Sequence, residues 1–270
     1  MKPIRSLRRG RAGLLGAVAV LLLGLTWGVA GAWAAGSSAS PGGQKSVARF
    51  GFTATPDGFN PFTAATSASY EILNLNYDML TKFDAATWQP APSLAESWDV
   101  SNGGKVWTFH LVRNAKWQDG KPLTAADVAF TYNYIIKNQM GAFTSYTEFI
   151  EKAVAVDPYT VQLICSQPKA NMLGLWVPIL PEHLWKAIDP KLAGSSYQNP
   201  LPIIGSGPFK VVEYKRSDFV RLDANKDCFR GAPKVDELIF QTYQSQDAMT
   251  QDMKSGCAGQ NAVSWPAFRS

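Results

Sequence analysis

The sequence predicts an α/β fold on three grounds. Val106–Leu111 alternates, with Trp107, Phe109 and Leu111 on one side and Val106, Thr108 and His110 on the other. That is the period of a half-buried strand. Just beyond it, Thr124-Ala125-Ala126-Asp127 opens a helix, with Thr124 as N-cap ahead of Val128, Tyr132 and Ile135 or Ile136. Short strand-like runs and hairpins separated by Gly, Pro and Asp turns fill most of the remainder, with few further helical stretches.

Taken in order, residues 46–54 read as a first strand, followed by a loop over 55–62 held by Pro56 and Pro61. Ser67-Ala68-Ser69-Tyr70 leads into a helix over 71–80, with Ile72, Leu73, Leu75, Tyr77 and Leu80 apolar. Asn102-Gly103-Gly104 turns the chain into the alternating strand, and Asp119-Gly120 with Pro122 breaks the chain beyond it. Residues 139–148 read as a loop carrying Phe143 and Tyr146; 152–156 and Thr160–Cys165 then pair across Asp157-Pro158. The run Gly205-Ser206-Gly207-Pro208 could cradle phosphate only with a helix N-terminus behind it. A strand over 209–214 comes next instead, so these glycines serve a tight backbone turn. Residues 215–218 turn a hairpin back along 219–222, 235–243 is a further strand, and 246–254 a short helix stopped by Ser255-Gly256.

At 46% hydrophobic and 17% charged, the 270 residues suffice for one large or two modest cores. The net charge of +5 suggests a nucleic-acid partner, but its distribution argues against one. Lys2, Arg5, Arg8, Arg9 and Arg11 precede Ala35 with no acid among them, leaving 21 bases against 21 acids in the rest. Residues 1–34 have the parts of a secretory signal: a basic start, an apolar run and a small-residue end. Ala32-Trp33-Ala34 places the cut after Ala34, with Ala32 second; the competing reading is an uncleaved membrane anchor. Residues 35–45 then form a flexible Gly/Ser-rich linker. Cys165, Cys228 and Cys257 show no spacing that favours a pair and read as buried or incidental thiols.

A catalytic constellation is hard to assemble. His110 and His183 are the only histidines, one mid-strand and one in a Pro-Glu-His turn, which leaves little for a triad or a zinc site. Asp127 and Glu96 lie in scaffold segments and read as local caps or pairs. Ser206 lacks the spacing of a nucleophile elbow. Trp98, Trp107 and Trp117 read as core; Trp88, Trp176 and Trp185 fit either core or surface.

The order of several words is more informative than any one of them. Leu94-Ala95-Glu96-Ser97-Trp98, Trp107-Thr108-Phe109-His110-Leu111, Ala115-Lys116-Trp117-Gln118-Asp119-Gly120 and Leu123-Thr124-Ala125-Ala126-Asp127-Val128 together resemble the N-terminal half of the family 5 extracytoplasmic solute-binding proteins of ABC importers, the peptide- and nickel-binding type. Tyr77-Asp78-Met79-Leu80 and Gly205-Ser206-Gly207-Pro208-Phe209 are similar to further turns of that family, although Met79 stands where Gly is usual and Cys228 where an aromatic is usual. The resemblance implies an α/β, periplasmic-binding-protein-like II fold of the cluster C type, incomplete: first lobe plus extra subdomain, with the second lobe missing. Lobe I would take residues 46–80 and 176–256, an inserted α/β subdomain 81–175, and residues 257–270 would be a divergent end.

By the same resemblance the chain is an exported, non-enzymatic binder, periplasmic or otherwise outside the cytoplasmic membrane. It would bind peptides or a similar small-molecule solute between two lobes and deliver it to the transmembrane subunits of an ABC permease, with no cofactor and no nucleic acid. An envelope sensory or interaction module reusing the fold is the alternative. Ligand-facing residues are implied at Ser67, Ala68, Ser69 and Tyr70, with Phe59 and Asn60 in the adjoining loop and Phe143 and Tyr146 from the middle. Ending at Ser270, the chain is expected to be a fragment with weak or absent affinity of its own.

Overall fold

A computed structural model describes residues 45–141 and 143–255; the signal, most of the linker and the divergent end lie outside the described residues. Two four-stranded sheets and a small hairpin organise them. The first sheet joins the start of the described chain to its end. β1 (Val47–Phe52) pairs in parallel with β10 (Glu237–Thr242), which continues antiparallel to β9 (Phe219–Ala224) and β8 (Phe209–Lys215). The second sheet is wholly antiparallel, in the order β4 (Ala95–Ser101), β5 (Val106–Leu111), β7 (Thr160–Cys165), β6 (Ile150–Asp157). β2 (Thr81–Phe83) and β3 (Pro90–Pro92) form the hairpin that leads into it.

Alternation in β5 has the predicted consequence, and β7 shows the same pattern. Trp107, Phe109, Leu111, Val161, Leu163 and Cys165 are buried on one face, with their neighbours half-exposed on the other. α2 (Ala125–Asn138) covers the buried face, packing on β6 and β7. It starts with the capping box read from the sequence: Thr124 N–H donates to Asp127 Oδ2 at 2.9 Å. Asp127 also accepts from Glu182 N–H at 3.0 Å, and Thr131 Oγ1 accepts from Leu180 N–H at 3.0 Å. One helix thereby holds the extended 175–180 segment and the short α4 (Glu182–Trp185).

Three local assignments are corrected. The helix expected over 71–80 is α1, Ser67–Asn76. Its N-cap is Thr66, whose side chain accepts from Ser69 N–H, so the Ser-Ala-Ser stretch is its first turn rather than its approach. It stops because Tyr77 is extended (φ −114°, ψ 146°). The loop expected over 139–148 contains α3, Phe143–Thr147, a single turn too short to show periodicity. The Pro-Glu-His turn is the start of α4. The last helix, α6, runs Gln246–Ser255, and α5 is the short Pro190–Ala193.

The turn at Gly205 and Gly207 lies against the end of α1. Gly207 N–H donates to Asn76 O at 2.9 Å, Val211 N–H to Asn76 Oδ1 at 3.0 Å, and Asp78 N–H to Ser206 Oγ at 3.2 Å. A Cβ on Gly205 would stand 1.8 Å from Asn76 O, and one on Gly207 2.4 Å from Leu75 O. Asp78 is buried beside this turn and ion-paired to Arg230. Burial raises its pKa, against the opposing pull of Arg230 and the Ser206 hydroxyl.

Substitution at two glycines separates steric crowding from backbone strain. Gly205→Ala forces backbone apart and should cost about 3 kcal/mol in urea unfolding. Gly103→Ala has open space at its Cβ but φ +63°, and should cost about 1 kcal/mol. Acid titration separates the aspartates by sign. At Asp57, burial opposes ionisation but is outweighed by hydrogen bonds from Ser69, Ala65 and Thr66; Lys226 and then Ser46 lower Asp236. Both contribute stability above about pH 4 that is lost as pH falls through their lowered folded values. Asp78 acts oppositely: its contribution is complete below the unfolded value and is lost as pH rises through its raised one. The urea midpoint should therefore drop below about pH 4, and Asp57→Asn should lower it at neutral pH while flattening that drop. An unchanged acid slope in the variant would contradict the assignment.

Candidate ligand-binding groove

Three stretches of chain meet around a groove of about 290 Å³. α1 presents Tyr70, Leu73 and Asn74, one helical face at i, i+3 and i+4. α3 adds Phe143 and Tyr146, and the extended 175–180 segment adds Trp176 and Pro178. Pro61 and Met79 complete the lining.

Each stretch is held from behind. Thr66, Ser69 and Asp57 lock the start of α1: Ser69 Oγ donates to Asp57 Oδ1 at 2.6 Å, and Asp57 accepts from Ala65 N–H at 2.9 Å. Phe143 is buried edge-on against Phe62, ring centroids 5.9 Å apart, and lies 6.2 Å from the Tyr146 ring. Thr147 Oγ1 donates to Phe143 O, closing the α3 turn. Ile179 N–H donates to Asp78 O at 2.9 Å, which ties the Trp176 segment to the end of α1.

Among the described residues the lining carries no Lys, Arg, His, Asp or Glu. Its polar side-chain groups are the hydroxyls of Tyr70 and Tyr146, the amide of Asn74 and the indole N–H of Trp176; none has a side-chain hydrogen bond among the described residues. Burial raises the Tyr70 phenol pKa, reinforced by Tyr146 and the Asp57 carboxylate, so the hydroxyl keeps its proton at neutral pH. Trp176 is 47% exposed, a large aromatic surface left facing solvent. Such a surface can take an uncharged ligand group by contact and hydrogen-bond it through neutral donors and acceptors.

Of the residues marked from the sequence, Tyr70, Phe143 and Tyr146 come together here. The others do not line the groove. Phe59 is buried edge-on against Tyr214 at 5.0 Å. Asn60 is buried and fully engaged: its Nδ2 donates to Ala193 O and Tyr197 O, and its Oδ1 accepts from Phe62 N–H at 3.0 Å. Ala68 and Ser69 face inward, and Ser67 is exposed on the first turn of α1. Leu73, Asn74, Met79, Trp176 and Pro178 were not singled out as ligand-facing by sequence reasoning. Trp176 gave the only local signal, an aromatic between prolines and aliphatics, and nothing in that pattern tells exposed from buried.

Away from the groove, His110 Nε2 lies 2.9 Å from Asp99 and His183 Nε2 2.7 Å from Asp119. Neither ring has a second hydrogen-bond partner among the described residues. Cys165 and Cys228 are free and buried. Trp107, Trp117 and Trp185 are core, while Trp88 is exposed.

Comparison with known proteins gives a consistent picture. The family model described as "Bacterial extracellular solute-binding proteins, family 5 Middle" matches residues 89–267. The dipeptide-binding protein of Escherichia coli K12 is 31% identical over 208 residues, covering 69% of this chain and 39% of that protein. The solved oligopeptide-binding protein AppA of Bacillus subtilis, in complex with a nonapeptide, superposes with a TM-score of 0.74 at 30% identity, over 79% of this chain and 43% of its own. NikZ of Campylobacter jejuni, solved with Ni(L-His), gives a TM-score of 0.70 at 26% identity, over 79% and 42%. The chain thus spans about two fifths of the length of the curated relatives it matches. With the family model covering well over half of the sequence and the same fold in the solved relatives, the chain belongs to the bacterial extracellular solute-binding proteins of family 5.

Proposed function

We propose that this chain forms part of the solute-binding component of an ABC importer, exported across the cytoplasmic membrane, and that the groove between α1, α3 and the 175–180 segment faces the solute. It acts by binding and release to a permease, not by catalysis. Peptides are the favoured solute class: curated relatives at about 30% identity are named as peptide-binding proteins. The observation that carries the reading is the pair of tyrosine hydroxyls at Tyr70 and Tyr146, without a side-chain hydrogen bond among the described residues and set among apolar walls. Extended peptides are commonly held through their main-chain amides, and neutral phenols suit such groups.

Titration of the isotope-labelled chain with the tripeptide Ala-Phe-Ala tests this. The Trp176 indole resonance and the amides of Leu73 and Asn74 should shift together. Tyr70→Phe and Tyr146→Phe should each weaken binding about five- to tenfold, the worth of one lost hydrogen bond, while leaving the unfolding midpoint unchanged. Shifts confined to residues outside the groove would overturn the assignment.

A further inference from the structure

We infer, resting on the assignment of this groove as a solute wall, that it is a selective subsite for one uncharged apolar side chain, aromatic or branched aliphatic, flanked by amides, and that it discriminates against charged groups. Size is the first argument. Pockets that enclose whole drug-sized ligands run from about 300 to 1,000 Å³; at about 290 Å³ this one has room for a side chain and its adjoining backbone.

The walls are the second argument. Leu73, Met79, Phe143 and Trp176 supply an apolar surface, and the half-exposed Trp176 ring gains most from being covered. The polar groups among them are neutral. Hydroxyls at Tyr70 and Tyr146 and the Asn74 amide both donate and accept, matching a backbone N–H or C=O on either side of the seated side chain.

Charge completes it. No cationic side chain among the described residues lines the groove. The ionisable groups acting on the Tyr70 phenol are the Tyr146 phenol and the Asp57 carboxylate, and the residue next to it in sequence is Glu71, whose carboxyl is pushed up by burial; none of them is cationic. A carboxylate seated here would lose water against apolar walls and meet no counter-charge. An ammonium group would lose water too. Asp57 lies outside the lining and is already engaged by Ser69, Thr66 and Ala65, so it offers a poor replacement for that water.

Three capped amino acids probe the side chain alone: N-acetyl-L-phenylalaninamide, N-acetyl-L-lysinamide and N-acetyl-L-glutamic acid α-amide, titrated at about neutral pH. The first should bind at least tenfold more tightly than either charged probe, read from the Trp176 indole and the Leu73 and Asn74 amides. Trp176→Ala should lower affinity for the phenylalanine probe at least fivefold, read from Leu73, and Trp176→Phe should restore most of it; circular dichroism checks the fold of both. Equal binding of the charged probes at these resonances, with Ala-Phe-Ala still shifting them, would overturn the selectivity and leave the solute wall standing. If neither the tripeptide nor any capped amide moves a groove resonance, the solute wall falls and the selectivity with it.

Discussion

The close approach of the Gly205–Gly207 turn to the end of α1 is the constraint on which the rest depends. Backbone meets backbone there: Asn76 accepts through both its main-chain and side-chain oxygens from Gly207 and Val211, and Ser206 accepts from Asp78. No side chain fits between them, because a methyl group at Gly205 would overlap the Asn76 carbonyl. This contact joins β8 of the first sheet to α1. The same turn reaches the segment after β5 of the second sheet, where Gln118 exchanges hydrogen bonds with Gly205 and also donates to Gly207 O and Phe209 O. One short loop therefore sets the spacing of both sheets and of the helix that carries Tyr70, Leu73 and Asn74 of the groove.

Burying so many polar groups at this junction is costly, and the residues show where the cost remains. Asn76 Nδ2, Asp78 Oδ2 and Trp117 Nε1 are buried without partners among the described residues. Asp78 keeps its Arg230 ion pair, yet burial outweighs it and raises the carboxyl pKa. A buried ion pair of this kind is weak evidence for stability and better evidence for a fixed geometry. At the other end of α1 the balance reverses: Asp57 is exposed, its hydrogen bonds outweigh its burial, and it favours the charged form next to a helix N-terminus. The helix is thus held by a hydrophilic lock at its start and a tight, desolvated one at its end.

Much of this was legible where one physical cause dominated. β5 could be read residue by residue because it has one buried face, so period two is imposed by burial itself. The capping box at Thr124 and Asp127 is local chemistry and was found as such. By contrast, α1 was misplaced by four residues at each end. Ser67, Ala68 and Ser69 have loop-like composition, and only the tertiary bond of Ser69 to Asp57 shows why they are helical and buried. Its end is set by a loop some 130 positions away, which no window over 71–80 contains. The parallel pairing of β1 with β10 joins residues 190 apart and was equally invisible.

The groove follows the same division. Tyr70, Phe143 and Tyr146 were marked by family resemblance rather than by pattern, and Phe59, Asn60, Ala68 and Ser69, marked with them, support the wall without lining it. The distinction is a matter of unused bonding capacity. The Asn60 amide and the Ser69 hydroxyl are committed to the protein, so presenting them to a ligand would strand their partners, Phe62 N–H, Ala193 O and Tyr197 O for Asn60 and the Asp57 carboxylate for Ser69. The Tyr70 and Tyr146 hydroxyls have no side-chain hydrogen bond to give up among the described residues. Because both sit on elements fixed from behind, α1 by its two locks and α3 by Phe62 and the Thr147 hydroxyl, their hydroxyls would meet the proposed solute already oriented. The rigidity that makes the Gly205 turn intolerant of a single methyl group is therefore what would give so small a groove the selectivity proposed for it.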